Sequence, residues 1–324
     1  MEEKDKLLLT EVQRRFPLEK EPYQVLAERL SLSEKEVIER LNRLKETGIL
    51  RQISAIFNPQ ALGYQTSLVA AAVPQEKLEH AAQVINAYPG VSHNYLRNYS
   101  FNMWFTLAVP PEENFEETLA ALMKKAGVSR YLILPIKRVF HIAVVYDFNE
   151  NNTEDNNLEF SLPNKEKLSL ADHQTISLVK LTQEDLPRVS RPFKEIANKV
   201  GLSEEEVLNW IKRGLDEGII RRFAGLVRHT RAGLKGNIMV AWEVPEKSLD
   251  EVGKKLAKEK KITHCYERKR YPDWPYNLYT MIHAPNPEEA FNFIENKAKE
   301  LKISSYLPLE TIKELKKIRL KLFW

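Results

Sequence analysis

The chain is poor in several residues and patterns on which common kinds of site depend. It has one cysteine in 324 residues, which excludes an intrachain disulfide and a metal cluster held only by cysteines, so Cys265 is predicted to be a buried structural thiol. It has no glycine-rich loop of the kind that binds the phosphates of a nucleotide. It also has no apolar run long enough to span a bilayer and no signal-peptide pattern at its start, so we expect a cytoplasmic protein that does not bind membranes.

The charge balance is even. With 49 basic and 45 acidic residues the net charge is +4, which does not require a nucleic-acid partner but leaves room for a local basic pocket. Hydrophobic residues make up 43% of the chain, enough for a sizeable core in two or more domains. This composition is typical of a soluble globular protein.

The sequence is an internal duplication. A shift of 170 residues aligns Arg51 with Arg221, and a shift of 171 further along aligns His93 with His264. The run at 149–157 has no hydrophobic residue and indicates a linker. We therefore predict five segments: a helix-turn-helix module at 1–63, a ferredoxin-like domain at 64–148, a linker at 149–168, a second helix-turn-helix module at 169–233 and a second ferredoxin-like domain at 234–324.

Local patterns predict the same elements in both copies. In the first module an amphipathic helix at 23–30 precedes a second helix that Ser33 and Glu36 begin as a capping box, and Ser203 and Glu206 repeat this box in the second copy. Strands and helices then follow in the order βαββαβ in each copy. The predicted fold class is α+β, a tandem duplication of a helix-turn-helix module and a ferredoxin-like domain whose two sheets pair.

Two segments repeat a His-x-Tyr-x-Arg pattern, here called the two motif rows. The first row is His93, Tyr95 and Arg97, and the second row is His264, Tyr266 and Arg268. In a β-strand alternate side chains share one face, so each row presents an imidazole, an aromatic ring and a fixed cation together. Arginine pairs with carboxylates and histidine titrates near neutrality, so the rows favour a planar ligand that carries carboxylates. The alternative interpretation is a polar sheet face in contact with water.

A helix-turn-helix joined to a βαββαβ domain resembles the Lrp/AsnC family of transcription regulators, whose paired sheets bind small ligands. A helix that reads DNA is usually basic. Here the helix at 33–47 has four basic and four acidic residues, and the helix at 203–217 has two basic and five acidic residues. We therefore expect no nucleic-acid partner, although a ligand-responsive regulator of this family is an alternative function.

The resemblance is most specific at residues 93–105 and 265–278. These segments look like the two paired sequence types of siroheme decarboxylases, a branch of the AsnC-like proteins in haem and haem d1 biosynthesis, and the run Trp-Pro-Tyr-Asn-Leu at 274–278 is the most specific part. The resemblance covers nearly the whole chain, with two partners that are usually separate fused into one. It implies removal of carbon dioxide from the acetate side chains at C12 and C18 of siroheme, which gives didecarboxysiroheme.

Siroheme is a large flat anion, so its pocket needs aromatic surface and several cations. Besides the arginines of the motif rows, the residues expected to bind substrate are Tyr95, Asn102, Trp104, Tyr266, Lys269, Arg270, Trp274, Tyr276 and Asn277. Siroheme is the expected partner, and no cofactor is expected beyond the iron that it carries. The two copies are expected to form an internal pseudo-dimer, and further oligomerisation is left open.

Decarboxylation leaves an electron pair that a protonated pyrrole can accept, and a proton completes the methyl group. We predict that His93 and His264 are general acids and that Arg97 and Arg268 orient the acetate. The alternative role of either histidine is axial ligation of the siroheme iron, which needs a neutral imidazole. A non-catalytic haem-binding carrier would use the same pocket.

The copies differ beside the motif rows. Tyr99 stands where the first sequence type of the family often has a histidine, and the second copy has an insertion at 271–274. These differences favour the second copy as the better equipped active site. His141 and His283 lie on later strands and are interpreted as structural side chains, with the lining of the same cavity as the alternative.

Overall fold

A computed structural model describes residues 2–14, 16–142, 173–227 and 236–324. Of the predicted segment boundaries, the one between residues 63 and 64 lies within these ranges, where the chain turns at Gly63 with φ of +79° between two strands. The predicted linker at 149–168 and the other boundaries lie outside the described residues.

Each copy consists of a helical module that ends in one strand, followed by a mixed α/β domain. The elements of the first copy are α1 (Glu3–Arg14), α2 (Pro22–Leu30), α3 (Glu34–Glu46), β1 (Leu50–Phe57), β2 (Gln65–Ala72), α4 (Leu78–Ala87), β3 (Val91–Arg97), β4 (Met103–Val109), α5 (Phe115–Lys125), β5 (Arg130–Leu134) and β6 (Ile136–Ile142). Those of the second are α6 (His173–Thr182), α7 (Pro192–Val200), α8 (Glu204–Asp216), β7 (Ile220–Val227), β8 (Gly236–Trp242), α9 (Leu249–Ala257), β9 (Ile262–Arg268), β10 (Leu278–Ala284), α10 (Pro287–Glu300) and β11 (Tyr306–Lys317). The predicted α+β duplication is confirmed.

The third helix of each module, α3 in the first copy and α8 in the second, is capped by a serine, as its sequence predicts. Ser203 Oγ accepts from the Glu206 N–H at 3.2 Å, and the Glu206 carboxylate accepts from the Ser203 N–H at 2.7 Å, which completes the capping box. Ser33 Oγ accepts from the Glu36 N–H at 3.2 Å, but the Glu36 carboxylate binds Arg40 instead. The first box is therefore only half formed, because an arginine one turn along competes for the carboxylate.

The two modules pack into one body. Their strands β1 and β7 pair antiparallel, with Ser54 opposite Ala224, and form a two-stranded sheet, here called the wing sheet. The helices of both copies pack around it in a single apolar core that includes Leu41 of α3 and Ile211 of α8. The wing sheet is thus the joint between the modules.

The remaining strands form one sheet in which the copies exchange their last strands. Its order is β5-β2-β4-β3-β11-β8-β10-β9-β6. Residues 306–310 of β11 pair with β8, and residues 311–317 pair with β3 of the first copy. In the same way β5 pairs with β2, and β6 crosses to β9 of the second copy.

Because β5 and β6 lie at opposite ends of this order and only Pro135 separates them, the sheet closes on itself. Helices α4, α5, α9 and α10 cover one face of the sheet. The other face looks into the space between the two copies, here called the inter-sheet space. An aromatic cluster that includes Trp104, Trp274 and Tyr279 fills part of that space.

The insertion at 271–274 forms a tight hairpin that is fixed to the first copy. Tyr271 and Trp274 exchange backbone hydrogen bonds of 2.9 and 3.0 Å. The Tyr271 hydroxyl donates to the Ile133 carbonyl of β5 at 2.6 Å, and Asp273 pairs with Arg130 at 2.9 Å. The insertion therefore brings Trp274 into the inter-sheet space.

Among the described residues, no helix has the length and apolarity needed to cross a bilayer.

Gly253 of α9 packs against the exchanged strand β6, so a substitution at this glycine tests that contact. A Cβ at this position would lie 2.5 Å from Cε1 and Cζ of Phe140 on β6. Overpacking costs about 1–3 kcal/mol, against a gain of up to about 1 kcal/mol from replacing glycine in a helix. We expect Gly253→Ala to lower the free energy of unfolding by about 1–2 kcal/mol, measured by chemical denaturation.

The control is the same change in a Phe140→Leu background. There the ring is gone, so helix propensity dominates and Gly253→Ala should be neutral or stabilising. An equal loss in both backgrounds would contradict the proposed contact between α9 and the exchanged strand.

Candidate active site

The two motif rows face the inter-sheet space. On the first copy Tyr95 lies opposite Trp104, and on the second Tyr266 lies opposite Tyr279, and both of these partners belong to the aromatic cluster. The intervening residues point the other way. Asn94 donates to Asn86 of α4 at 3.0 Å, and the buried Cys265 thiol lies 3.8 Å from the Gly253 carbonyl of α9.

Each row is a stack of three side chains. The rings of His93 and Tyr95 have centroids 6.3 Å apart, and Arg97 lies over the tyrosine ring at 5.4 Å. In the second row His264 and Tyr266 are 5.8 Å apart, and Arg268 lies over Tyr266 at 5.2 Å. The histidines and tyrosines of both rows keep partial exposure, whereas the arginines are buried.

The two arginines anchor the exchanged strands. Arg97 Nη1 donates to the Leu309 carbonyl of β11 at 2.6 Å, and Arg268 Nη1 donates to the Leu134 carbonyl of β5 at 2.5 Å. Arg97 is 4% exposed and Arg268 is 8% exposed. The strand that crosses between the copies is therefore held in each case by a charged side chain from the other copy.

These arginines are also buried cations without a described counter-ion. The Nε of each has no hydrogen-bond partner among the described residues. Burial lowers the pKa of Arg97 to about 10 and also lowers that of Arg268, and a neighbouring tyrosine, not a carboxylate, is the group that opposes the shift. A buried charge left unpaired costs about 3–5 kcal/mol, so each position favours an incoming anion.

Both histidines are neutral at pH 7 in the free protein. Burial, followed by the charges of Lys317 and Arg51, lowers the pKa of His93 to about 4. Burial is the largest cause that lowers the pKa of His264 to about 4, followed by the unfavourable coupling of its proton to His283, His141 and Arg268, and last to His93. Because protonation of His93 and of His264 disfavour each other, the two rows share one electrostatic environment.

The wing sheet supplies cations that sequence reasoning did not assign to the site. Arg51 of β1 acts on His93, and Arg221 of β7 acts on Tyr266. Arg221 is exposed, yet the surrounding protein lowers its pKa, as expected for a side chain that lines a concave surface. The signal was present in the sequence, because the 170-residue shift aligns these two arginines.

The wing sheet is held next to the first row by the chain that follows β11. The Ile318 N–H donates to the Ser92 carbonyl at 2.9 Å, beside His93. The next residue, Arg319, donates to Ser54 Oγ and to the Ala55 carbonyl of β1. The histidine end of the first row therefore adjoins the wing sheet.

Each row continues into a different polar network. His93 Nδ1 contacts Ser92 Oγ at 2.9 Å. His264 Nδ1 contacts Thr263 Oγ1 at 2.9 Å, and this hydroxyl contacts His283 Nε2 at 2.9 Å. His283 therefore belongs to the surroundings of the second row, which agrees with the alternative interpretation of this histidine from the sequence.

Asn102 and Asn277, which were predicted to bind substrate, have structural roles in this structure. Asn102 accepts from the Val73 N–H and donates to its carbonyl, both at 2.9 Å. Asn277 makes the same two bonds to Val244, again at 2.9 Å. Each amide is held by the main chain of a neighbouring strand, and contact of either residue with substrate stays a prediction.

Trp104 and Trp274 are core residues in this structure. Each is 1% exposed, and their ring centroids lie 5.7 Å apart. Their indole N–H groups donate to the Phe101 carbonyl and to the Tyr279 hydroxyl, both at 2.6 Å. In this structure both rings support the aromatic cluster, and their contact with substrate stays a prediction.

The remaining predicted residues lie at the edge of this cluster. Lys269 and Arg270 are exposed on the loop after β9, with Lys269 over the Tyr271 ring at 4.9 Å and Arg270 bound to the Val244 carbonyl. Tyr276 is half-buried and packs on Trp274 at 4.9 Å. Tyr99, 43% exposed, contacts the same tryptophan at 5.8 Å. Substrate contact by Lys269, Arg270 and Tyr276 stays a prediction.

Cys265 is buried, and burial raises the pKa of its thiol to about 12. It is therefore an inert structural thiol, as the sequence predicted. Within the described part of the chain, no group of three or more histidine, cysteine, aspartate or glutamate side chains is arranged to hold a metal ion.

Two family models match the chain. The AsnC-like ligand binding domain matches residues 61–141 and 231–316, and the siroheme decarboxylase NirDL-like HTH domain matches residues 5–51 and 176–221. Fold and site thus define a tandem AsnC-like ligand-binding protein with two helix-turn-helix modules.

Similar proteins refine this class. A siroheme decarboxylase of Hydrogenobacter thermophilus is 38% identical over 320 residues, which are 98% of this chain and 94% of that protein. The crystal structure of the siroheme decarboxylase NirDL in co-complex with an iron-uroporphyrin III analogue matches with a TM-score of 0.79 and 34% identity, covering 98% of this chain and 94% of that chain. The chain belongs to the siroheme decarboxylase family and is an enzyme of the carboxy-lyase class.

Some members of this family consist of separate subunits. The siroheme decarboxylase beta subunit of Methanosarcina barkeri is 38% identical over 151 residues, which are 47% of this chain and 99% of that subunit. The present chain therefore holds in one polypeptide what such relatives hold in subunits of half its length, and its two copies pair as an internal pseudo-dimer.

The lowered pKa of the two histidines predicts how stability depends on pH. Both imidazoles titrate near pH 4 when folded and near 6.5 when unfolded, so the unfolded chain binds more protons between these values. The free energy of unfolding should therefore fall as pH drops from 6.5 towards 4 and stay level above 7. Each histidine contributes a slope of up to about 1.4 kcal/mol per pH unit.

Denaturation midpoints measured between pH 5 and 8 would test this expectation. A variant with both His93→Gln and His264→Gln should show a shallower slope, whereas His80→Gln, which changes an exposed histidine on α4, should keep the slope of the wild type. An unchanged slope in the double variant would show that the two imidazoles are not protected from protons in the folded state.

Proposed function

We propose that this enzyme decarboxylates siroheme in the inter-sheet space. Carbon dioxide is removed from the acetates at C12 and C18, giving didecarboxysiroheme for haem or haem d1 biosynthesis. The observation that carries this proposal is the pair of buried arginines without a described counter-ion, each stacked on a tyrosine beside a neutral histidine. The related NirDL structure supports it, because its bound ligand is an iron tetrapyrrole analogue.

The proposed binding mode follows from charge. A tetrapyrrole with several carboxylates offers anions to Arg97 and Arg268 and to the wing-sheet residues Arg51 and Arg221, while Tyr95 and Tyr266 offer aromatic surface. Pairing at Arg97 and Arg268 gives a counter-ion to a desolvated cation, so binding also offsets the cost of burying these charges in the free protein. Propionates and acetates compete for these cations, and the acetates that react are those nearest the histidines.

The proposed chemistry uses His93 and His264 as general acids. The C–C bond to the carboxylate breaks, its electron pair passes into the protonated macrocycle, and a proton completes the methyl group. Neutral imidazoles must first gain protons, and the negative charge of bound acetates raises their pKa for that purpose. No cofactor is needed beyond the iron of the substrate, because the step is neither an oxidation nor a reduction.

Axial ligation of the substrate iron is the second role open to either histidine. Their lowered pKa favours it, because a ligating imidazole must be neutral. The copies also differ in their surroundings: Glu314 and Lys317 lie opposite the first row, whereas His283 contacts the network of the second. One histidine can thus ligate the iron while the other acts as the general acid for the acetate.

We expect the purified protein, incubated anaerobically with siroheme and no added cofactor, to give products lighter by one and then two carbon dioxide molecules. Mass spectrometry of the extracted tetrapyrrole measures this. Tight binding with unchanged substrate mass would identify a carrier instead of an enzyme that acts on siroheme.

Variants separate binding from catalysis. Arg268→Ala should weaken binding by about 1.5–3 kcal/mol, because a carboxylate loses a charged partner, and should lower turnover with it. His264→Ala should leave binding nearly intact and slow the reaction by about 100- to 10,000-fold if it acts as an acid. The matching changes Arg97→Ala and His93→Ala should have smaller effects if the second copy is the better equipped.

Control variants and stability measurements accompany these binding experiments. Arg213→Ala removes an exposed arginine of α8 and should leave binding unchanged. Because Arg97 and Arg268 also anchor exchanged strands, denaturation midpoints must accompany each binding curve. Loss of the ligated-iron absorption spectrum in His264→Ala would assign that histidine to the iron and the acid role elsewhere. Larger effects in the first copy would contradict the preference for the second.

We further propose that the helix-turn-helix modules do not read DNA. Arg40 of α3 is paired with Glu2 at 2.7 Å and Asp5 at 2.8 Å, and it is 13% exposed. On α8, Lys212 and Arg213 pair with acidic residues at 3.8 and 3.7 Å. The basic side chains of both helices are thus partly neutralised, and phosphates would have to displace their partners.

In a gel-shift assay at physiological salt we expect no sequence-specific complex. A complex of submicromolar affinity that survives this salt concentration would support the alternative function of a ligand-responsive regulator. Weak binding at low salt only is expected of many proteins and agrees with the proposal.

We also propose a cytoplasmic location. The distribution of the protein between membrane and cytoplasmic fractions tests it.

A further inference from the structure

A chain of hydrogen bonds leads away from His264. Its Nδ1 contacts Thr263 Oγ1 at 2.9 Å, the same hydroxyl contacts His283 Nε2 at 2.9 Å, and His283 Nδ1 contacts Asn237 Oδ1. The four residues come from three neighbouring strands, β9, β10 and β8. None of them was assigned a role with His264 by the sequence.

The direction of this chain is fixed at its far end. An amide oxygen only accepts, so His283 must donate from Nδ1. Burial lowers the pKa of His283, so this imidazole is neutral and its Nε2 accepts the Thr263 hydroxyl proton. The Thr263 oxygen is then left to accept from His264, which must carry its proton on Nδ1.

We propose that Thr263, His283 and Asn237 are positioning residues that hold His264 as the Nδ1–H tautomer and present the lone pair of its Nε2 to the inter-sheet space. Imidazole side chains in water favour the opposite tautomer, with the proton on Nε2. The chain of hydrogen bonds reverses this preference at one residue.

The first copy has no such fixed chain. His93 Nδ1 contacts Ser92 Oγ, which contacts Thr106 Oγ1, both at 2.9 Å. Hydroxyls donate as readily as they accept, so nothing in this pair of contacts sets a direction. Ala108 stands in the first copy where His283 stands in the second, because the paired strands have the same register there. The two histidines therefore differ in how their tautomers are determined.

The catalytic consequence rests on the proposed function. The atom of His264 that acts in either role is Nε2: as a ligand of the substrate iron it uses its lone pair directly, and as a general acid it first takes a proton from solvent on that lone pair and then delivers it to the substrate. Holding Nδ1 in a hydrogen bond fixes the ring orientation as well as the tautomer. The tautomer itself is a property of the free protein and can be tested without substrate.

The first test is nuclear magnetic resonance of the full chain labelled with ¹⁵N-histidine at pH 8. Long-range ¹H–¹⁵N correlations distinguish protonated from bare ring nitrogens, and His264→Gln and His93→Gln assign the two signals. We expect His264 with a protonated Nδ1 and His93 with a mixture of tautomers. A protonated Nε2 on His264 in the wild type would overturn the proposal.

Three variants examine the chain of hydrogen bonds. Thr263→Val keeps the shape but removes the hydroxyl, so the His264 signal should shift towards the Nε2–H form. Thr263→Ser keeps the hydroxyl and should preserve the wild-type signal. His283→Phe removes the acceptor and should act like Thr263→Val, which keeps the test open if one variant fails to fold. A wild-type tautomer in both Thr263→Val and His283→Phe would refute the proposal.

The second test measures turnover of siroheme. Thr263→Val should lower kcat by about 10- to 100-fold with little change in KM, as for other residues that orient an acting imidazole. Thr263→Ser should restore the rate. Ser92→Ala, the matched change in the first copy, should have a smaller effect. A Thr263→Val enzyme as active as Ser92→Ala would count against the positioning role.

The two tests fail separately. A wild-type protein that binds but does not decarboxylate siroheme would end the proposed function and leave the tautomer result standing. An active wild type whose rate and His264 signal are both insensitive to Thr263→Val would keep the function and end the positioning role.

Discussion

The exchange of terminal strands is the constraint on which the rest of this structure depends. A βαββ unit leaves strands β3 and β9 with unpaired N–H and C=O groups along one edge, and such edges must be covered. Here β11 covers β3, and β6 covers β9, so each copy completes the sheet of the other. The arginines of the motif rows bind carbonyl groups at these crossings, so the side chains that define the site also hold the exchange in place.

Because of this exchange, neither copy can form its own site. The first row lies beside residues of the second copy, among them Glu314 and Lys317 of β11, and the second row lies beside β6 of the first. A single polypeptide allows these surroundings to diverge, since nothing requires the two sides to be identical. Divergence has given the first row a carboxylate and an ammonium group, and the second row the imidazole of His283.

The distribution of charge separates the modules from the inter-sheet space. Basic residues of α3 and α8 are paired with acidic residues of the same body, as Arg40 is with Asp5. Arg97 and Arg268 have no acidic partner among the described residues, and burial lowers the pKa of Arg222 and of Arg319, whose charges repel each other. The cationic field is therefore directed towards the interior, where an anionic ligand gains most from it.

The aromatic cluster has a complementary role. Trp104 and Trp274 fill the part of the inter-sheet space away from the wing sheet, and the insertion that carries Trp274 is fixed to β5 by Tyr271. A rigid, dry wall at this end keeps the rows at a fixed distance from each other. Its residues serve the site by excluding water and holding the two copies in register, which explains why tryptophans near a predicted pocket proved to be core.

Much of the fold followed from local patterns. The capping serines, the helix periodicity and the period of two in the motif rows correctly indicated which residues share a face, since backbone geometry alone decides that. The duplication also aligned Arg51 with Arg221, although their place beside the rows was not recognised. What periodicity could not give was the identity of neighbours across the chain. Periodicity did not indicate, for example, that the side chain of Asn102 bonds to the main chain of Val73.

The sequence by itself determined the two copies, their elements and the face that each motif row presents, because these depend on residues a few positions apart. Only the tertiary structure decided that the copies exchange strands, that Lys317 faces His93, and that His283 reaches Thr263. Those contacts join residues far apart in the chain. They depend on which strand edges meet, and edge pairing is settled by the packing of the whole sheet and by no local pattern.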